Sequence, residues 1–237
     1  MKKGRVRLDR ALSKLGVASR AAGRALILEG KVTVGGRVVR DPAIEVVPER
    51  GDIVVDGRRV RRPPWRTILL HKPRGVVTTR RDPEGRPTVF DLLGPEAAGL
   101  VAVGRLDLAT SGLLLLTSDT RLADRLTDPA NAVVRRYAVT VRGELSDAAA
   151  QRMETGLDGL RAQSVTIRKR SGRETHLIVE LTEGQNREIR RLCAAVGFEV
   201  TKLHRVGFGS LALGDLPPGR WREVTRDELG HRASERR

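Results

Sequence analysis

The chain has 237 residues, of which 39% are hydrophobic, so it is long enough for one large or two small domains with a sizeable core. Its 45 Lys and Arg residues exceed its 29 Asp and Glu residues, which gives a net charge of +16. This field favours a polyanionic partner, with nucleic acid expected first and an anionic membrane surface second. No apolar run reaches the ~18 residues of a membrane span.

The cysteine and histidine content argues against a secreted, disulfide-bonded protein and against a metal centre. Cys193 is the only cysteine, so no internal disulfide can form, and we expect a cytoplasmic protein. The basic N-terminus has no apolar run behind it and does not read as a secretory signal. The four histidines are scattered without zinc-site spacing, so no metal site is expected.

Residues 5 to 60 are predicted to form two helices followed by short strands. Apolar residues share one face of RLDRALSKLG, which Gly16 ends, and Ser19 is suited to cap a second helix that ends at Gly30. The alternating KVTV and the turns Gly35-Gly36 and Asp56-Gly57 predict two hairpins.

Basic residues cluster on this first part of the chain. Arg20 and Arg24 lie four apart and share a helix face, and Lys31 follows that helix. The group as a whole lacks interleaved acids, which favours phosphate binding. For any single member, a solvated helix surface is the alternative.

The rest of the chain predicts an α+β fold with a mainly antiparallel sheet and flanking helices, because strands and helices mix without strict βαβ alternation. We place a domain boundary between residues 62 and 63, where Pro63-Pro64 would interrupt a strand ladder. The continuous run LLLLTS predicts a strand buried on both faces, and NREIRRLCAAVG predicts an amphipathic helix. The basic tail, residues 231–237, is predicted to be disordered.

The stretch GRLDLATSGLLLLTSD, residues 104 to 119, holds one carboxylate, Asp107, ahead of the buried strand. Asp is common in turns, and Thr110, Ser111 and Gly112 complete a turn-like cluster, so a structural role is the simpler interpretation. The alternative is a catalytic carboxylate at the mouth of the strand. Arg105 would point to the same side as Asp107 if both lay on a strand.

Four segments resemble, in the same order, the motifs of the pseudouridine synthases. GRLDLATSGLLLLTSD is similar to the central motif, LLHKPRGVVTT to the lysine–proline motif, and RRYAVTV to the strand with the active-site tyrosine. EGQNREIRRLCAAVGFEVTKLHRVGFGSLALGDLPPGRWREVT resembles the C-terminal motif of the branch that modifies ribosomal RNA. RLDRALSKLGVASRAAGRALILEGKVTVGGRVV resembles an S4 domain, an RNA-binding module that this branch carries at its N-terminus. The resemblance implies an S4 domain at 1–62 and a catalytic domain at 63–230.

The resemblance also implies the roles of the site residues. Asp107 is the implied catalytic carboxylate, which either attacks covalently or removes a sugar proton. Tyr137 would stack on the target uracil, and its hydroxyl could assist removal of the C5 proton. Arg190 would pair with Asp107 and oppose its protonation in an apolar pocket. Arg105 would hold the base flipped out of the RNA.

Further basic residues are candidate RNA contacts. Arg187 is one, with a solvated position on its helix as the alternative; the others are Arg20, Arg24 and Lys31. Lys72 and Pro73 would shape the wall beneath Tyr137 and would not react.

The implied activity is conversion of uridine to its C-glycoside isomer in ribosomal RNA, more specifically of the large subunit. No atom is gained or lost, so no cofactor is expected. The expected partner is ribosomal RNA or a subunit precursor, with no membrane and a monomeric chain. The alternatives are a non-catalytic S4-type RNA-binding or ribosome-assembly protein, and a pseudouridine synthase acting on small-subunit or another RNA. Asp107, Tyr137 and Arg190 together favour an enzyme, because a binding module needs none of them.

Overall fold

A computed structural model describes residues 4–50, 52–60 and 64–230. The predicted domain boundary at residues 62 and 63 and the predicted tail, 231–237, lie outside the described residues. Two units emerge from the contacts along the chain. The first comprises the described residues up to 66 together with 95–101 and 117–120, and the second comprises the remainder.

The first unit holds two helices and six short strands. The helices are α1 (Leu8–Lys14) and α2 (Arg20–Leu28), and the strands are β1 (Val6–Arg7), β2 (Val32–Val34), β3 (Arg37–Val38), β4 (Glu45–Val46), β5 (Ile53–Val55) and β6 (Arg58–Arg59). Four strands form an antiparallel sheet in the order β3-β2-β5-β6, and β1 pairs with β4. Buried apolar residues from both helices and three strands form its core.

Local chemistry explains where these elements begin and end. The hydroxyl of Ser19 accepts a hydrogen bond from the backbone N–H of Ala22 at 3.1 Å, so Ser19 caps α2 as predicted. Gly16 and Gly30 follow the two helices with φ of +73° and +75°, which glycine adopts without a steric cost. The predicted helices and hairpins of this unit are confirmed.

The rest of the chain, as far as the structure describes it, supplies nine further strands and four further α-helices. The strands are β7 (Thr67–Lys72), β8 (Val101–Ala102), β9 (Ser111–Thr117), β10 (Arg135–Arg142), β11 (Ser164–Arg170), β12 (Glu174–Leu181), β13 (Val200–Phe208), β14 (Leu211–Ala212) and β15 (Trp221–Glu223). The helices are α3 (Val89–Leu93), α4 (Thr120–Thr127), α5 (Asp147–Thr155) and α6 (Glu188–Ala195).

These nine strands form one sheet in the order β11-β12-β10-β13-β9-β7-β15, with β14 added to β13 and β8 to β9. The pairs β11–β12, β12–β10, β10–β13 and β7–β15 are antiparallel, whereas β13 and β9 are parallel. The predicted α+β fold with a mainly antiparallel sheet is confirmed.

The central strands of this sheet are buried. Every residue of β7 is buried, and β9 is buried from Gly112 onward, which matches the continuous apolar run in its sequence. Gly112 has φ of +111°, and a Cβ at this position would overlap the backbone carbonyl of Arg205 on β13. The two parallel strands therefore approach each other closely only because residue 112 is glycine.

Candidate active site

Asp107 lies in the loop between β8 and β9 rather than on a strand. Its carbonyl accepts the backbone N–H of Thr110 at 3.0 Å, so Asp107 opens a turn, as the residue types alone suggest. Its neighbour Arg105 is exposed and also off any strand, but both residues line the same cavity.

Lys72, at the end of β7, holds this turn in place. Its side chain is fully buried, and its Nζ donates hydrogen bonds to the carbonyls of Pro73 (3.0 Å), Asp107 (3.1 Å) and Thr110 (2.8 Å). Burial lowers the pKa of Lys72 to about 8, while the charge of Asp107 opposes this shift and that of Arg205 adds to it. Lys72 therefore ties the Asp107 turn to the sheet.

A second set of bonds fixes the same loop from residues 75–78. The hydroxyl of Thr78 donates to the carbonyl of Leu106 at 2.9 Å, and the backbone N–H of Gly75 donates to the carbonyl of Leu108 at 2.9 Å. The backbone on each side of Asp107 is thus bonded before any substrate arrives, which is the preorganisation that a catalytic group requires.

A cavity of about 390 Å³ opens beside this turn, within the second unit. Four predicted site residues line it: Asp107, Tyr137, Arg105 and Arg187. Four further charged residues, which the sequence did not predict as part of a site, also line it: Arg135, Glu183, Glu188 and Arg205. The cavity therefore combines an accessible carboxylate with an aromatic side chain and several fixed cations.

Tyr137 and Arg205 are direct partners on neighbouring strands. The β10–β13 register places them opposite each other, and paired residues of an antiparallel ladder extend from the same face of a sheet. Their exposed fractions are 9% and 2%. Arg205 donates from Nε to the carbonyl of Leu113 at 2.6 Å, and its guanidinium carbon lies 5.2 Å from the ring centre of Phe208.

Arg135 is buried at the start of β10 and links three parts of the cavity wall. Its Nη1 donates to the carbonyls of Val133, Thr182 and Glu183, at 2.7 to 3.1 Å, and its Nη2 donates to that of Leu126 at 3.3 Å. Burial lowers the pKa of Arg135. Its hydrogen bonds give Arg135 a structural reason to be buried.

Glu188, the first residue of α6, is a buried carboxylate in the cavity wall. Burial raises its pKa, while the backbone N–H of Gln185, which it accepts at 3.1 Å, has the opposite effect. This bond ties Glu188 to the loop before the helix. Arg187, directly before it, is exposed with φ of +50°, a conformation that turns the chain into α6.

Arg190 does not form the expected pair with Asp107. Its Nη1 donates instead to the carbonyl of Val200 at 2.9 Å, and no ion pair joins it to Asp107 in the described part of the chain. The two charges still influence each other, because burial and Arg187 lower the pKa of Arg190 while Asp107 raises it. The sequence predicts that Arg190 lies on α6. It does not predict how far α6 lies from the Asp107 turn, because that distance depends on tertiary packing.

The candidate RNA contacts of the first unit are exposed, but two of them are ion-paired. Arg20 lies 3.5 Å from Asp9, and Lys31 lies 2.7 Å from Glu29, so the expectation of no interleaved acids is wrong. Glu29 raises the pKa of Lys31 by hydrogen bonding and by its charge. Arg24 is exposed, and no ion pair to it is found among the residues described. Exposed ion pairs are worth only about 0–1 kcal/mol, so a phosphate can displace them.

Lys72 and Pro73 do not form the cavity wall beneath Tyr137, contrary to expectation. Within the described ranges, no cluster of three or more His, Cys, Asp and Glu side chains is arranged to hold a metal ion. None of the described helices is long and apolar enough to cross a bilayer.

Comparison with known proteins identifies the family. The profile of the RNA pseudouridylate synthases matches residues 66–195. The chain belongs to this family. The S4 domain profile matches residues 6–54 of the same pseudouridylate synthase.

Relatives cover nearly the whole of this pseudouridylate synthase. A protein of Aquifex aeolicus, named an uncharacterized RNA pseudouridine synthase, is 38% identical over 94% of this chain and 92% of its own. The ribosomal large subunit pseudouridine synthase B of Escherichia coli K12 is 40% identical over 92% of this chain and 79% of its own. A crystal structure of a pseudouridylate synthase shares the fold, with a TM-score of 0.66 over 95% of this chain and 98% of the other, at 24% identity.

Proposed function

We propose that this chain isomerises uridine to pseudouridine in ribosomal RNA of the large subunit, with Asp107 as the catalytic carboxylate. The observation that carries the proposal is the placement of Asp107 and Tyr137 in the wall of one cavity, with Asp107 on a turn whose backbone Lys72 bonds and with Tyr137 on β10. The subunit is inferred from the relatives that are named ribosomal large subunit pseudouridine synthase B.

The reaction needs a carboxylate at the sugar and a surface for the base. The C1′–N1 bond breaks and its electron pair goes to the uracil, which turns over and forms a bond from C5 to C1′. The C5 proton is then lost and N1 takes up a proton, so the atoms balance without a co-reactant. Asp107 either attacks C1′ or removes a sugar proton, and Tyr137 supports the detached base by stacking.

The arginines of the site have supporting roles. Arg105 and Arg187 are exposed at the cavity and are suited to bind phosphates beside the flipped nucleotide. Arg190 forms no ion pair with Asp107 among the described residues, although it lies near enough for the charge of Asp107 to raise the pKa of Arg190.

The S4 domain supplies the wider RNA contact, through exposed cations that include Arg20, Arg24 and Lys31. The lone Cys193, which is buried and unpaired, fits a cytoplasmic protein. We further propose that the chain acts as a monomer.

The test is tritium release from C5 of uridine in unmodified large- and small-subunit ribosomal RNA. We expect release by the wild type, with the large-subunit RNA as the better substrate. Asp107→Asn should abolish release while the RNA dissociation constant changes by no more than a few-fold. Asp124→Asn, at an exposed position of α4, is the matched control and should retain full activity.

A different result would contradict each part of the proposal: the catalytic residue, the activity and the target RNA. Release by Asp107→Asn at the wild-type rate would remove Asp107 from the mechanism. Binding of ribosomal RNA without release from either RNA would indicate the non-catalytic alternative. Preferred release from small-subunit RNA would correct the target.

A further inference from the structure

Arg205 is buried in the cavity wall without a full set of hydrogen bonds. It is 2% exposed, its Nε donates to the carbonyl of Leu113, and no partner is found for its Nη2 among the described residues. Arg135, the other buried arginine of this wall, donates four hydrogen bonds to carbonyls. A buried charged group that lacks an acceptor is costly, and such a group points to an acceptor that the substrate brings.

The position of Arg205 is fixed relative to the base. It lies opposite Tyr137 on the same sheet face, and both line the cavity with Asp107. The close approach of β9 at Gly112 fixes its backbone, and Phe208 contacts its guanidinium. A uracil stacked on Tyr137 would therefore share this cavity with Arg205.

The charge of Arg205 reaches Lys72, which bonds the Asp107 turn. The positive charge of Arg205 lowers the pKa of Lys72, and the negative charge of Asp107 raises it. The three groups therefore share one electrostatic environment. The Nζ of Lys72 already donates hydrogen bonds to three carbonyls, whereas the Nη2 of Arg205 has no acceptor among the described residues. Of the two buried cations, Lys72 and Arg205, it is therefore Arg205 that has an N–H group available to bond a new negative charge.

We propose that Arg205 is a catalytic residue that stabilises the negative charge developing on the uracil when its bond to the sugar breaks. The inference rests on the proposed function and adds a named group to it. Heterolysis of C1′–N1 leaves the electron pair on the uracil, where it is shared between the ring nitrogen and the carbonyl oxygens. Arg205 donates hydrogen bonds to this anion and keeps its own proton throughout. The charge disappears when C5 attacks C1′, and the same requirement holds whether Asp107 attacks the sugar or removes a proton.

The test compares two leaving groups in single turnovers. Large-subunit RNA is transcribed with uridine or with 5-fluorouridine, whose fluorine withdraws electrons and stabilises the uracil anion. Conversion of the target nucleotide from a C–N to a C–C glycoside is followed by tandem mass spectrometry of nuclease fragments, because the two isomers have equal mass and only a C–N glycoside releases its base on fragmentation. The fluorinated ring has no C5 proton to lose after the C5–C1′ bond forms, so its C–C glycoside keeps the fluorine and takes up water at C6. For Arg205→Gln on uridine RNA, we expect a rate about 100-fold below that of the wild type, the size of a lost charge-stabilising donor. On fluorouridine RNA, the deficit should shrink at least ten-fold.

Arg135→Gln is the matched control, since Arg135 is also buried, lines the same cavity and contacts Phe208. Its deficit should be the same for both RNAs, because its bonds are to the protein's own carbonyls. RNA affinity and the melting temperature are measured for every variant. If Arg205→Gln does not fold, Arg205→Lys is judged by the same criterion, since it keeps the charge but displaces the donors.

The outcomes separate the two proposals. An equal deficit of the folded Arg205 variant on both RNAs, or no deficit, would overturn the role of Arg205 while leaving the isomerase activity intact. No conversion of uridine RNA by the wild type would overturn the proposed function and this inference with it. A deficit that appears as weaker RNA binding with an unchanged single-turnover rate would also overturn it, because charge stabilisation acts on the chemical step.

Discussion

Replacing Lys72 with Met should loosen the Asp107 turn and should do so in a pH-dependent way. The variant keeps an unbranched, buried side chain but removes the Nζ that joins three carbonyls at 2.8 to 3.1 Å. A hydrogen bond to a charged group contributes about 1.5–3 kcal/mol, and loss of the buried ammonium partly offsets the loss of three such bonds. We expect the free energy of unfolding at neutral pH to fall by about 3 kcal/mol.

The pKa of Lys72 sets the direction of the pH effect. In the folded protein burial lowers this pKa from 10.5 to about 8. Between these values the unfolded chain binds a proton that the folded chain has released, so the stability of the wild type gains ~1.4 kcal/mol per pH unit from this group. The Met variant lacks this gain. The stability gap between wild type and variant is therefore constant below pH 8 and should widen by about 2 kcal/mol by pH 9.5.

Urea unfolding of both proteins at pH 7 and pH 9.5 measures the gap. Lys202→Met, at an exposed position of β13, is the matched control and should change stability by no more than about 0.5 kcal/mol. A gap between wild type and Lys72→Met that stays constant or narrows at the higher pH would refute the reasoning. We also expect Lys72→Met to lose about 100-fold in turnover through displacement of Asp107, with RNA affinity unchanged.

The other predictions concern three positions. Gly112→Ala should cost about 3 kcal/mol or more of unfolding free energy, since the new methyl group meets the Arg205 carbonyl. Gly85→Ala, at a position that also has a positive φ (+70° against +111°) but open space around it, should cost about 1 kcal/mol. Denaturant titration distinguishes the two, and equal losses would contradict the packing argument. Tyr137→Phe keeps the ring but lacks the hydroxyl, so tritium release should fall about 100-fold at unchanged RNA affinity; wild-type release would exclude an essential proton role. Arg24→Ala should reduce the slope of log affinity against log salt by about one, and an unchanged slope would remove Arg24 from the RNA interface.

Much of the fold follows from the sequence because the relevant signals are local. Ser19 and Ser146 cap α2 and α5 through bonds to backbone N–H groups three residues ahead. The four-leucine run becomes the buried strand β9, since a strand covered on both faces needs no alternation. These features depend on neighbours within a few residues, so the linear pattern contains them.

The missed parts of the site depend on contacts between distant segments. Arg135 and Arg205 look like ordinary strand residues, and only the β10–β13 register brings Arg205 beside Tyr137. Arginine is seldom buried, so an Arg within an apolar strand was the one available signal. The role of Lys72 was missed for the same reason, because its three acceptors are identified only when β7 meets the Asp107 loop.

The strand order has a consequence for the time at which activity can arise during synthesis. β15, near the C-terminal end of the described chain, pairs with β7, the first strand of its unit, while β13 is inserted between β9 and β10. The cavity, which residues of β13 up to Phe208 help to line, therefore cannot form until residues 200–208 have left the ribosome, whereas the helices and sheet of the first unit use only the first 60 residues. Since chains grow at roughly 5–20 residues per second, the RNA-binding part has about ten seconds or more to fold before the catalytic part is complete. A nascent chain held in this interval can contact RNA but cannot modify it.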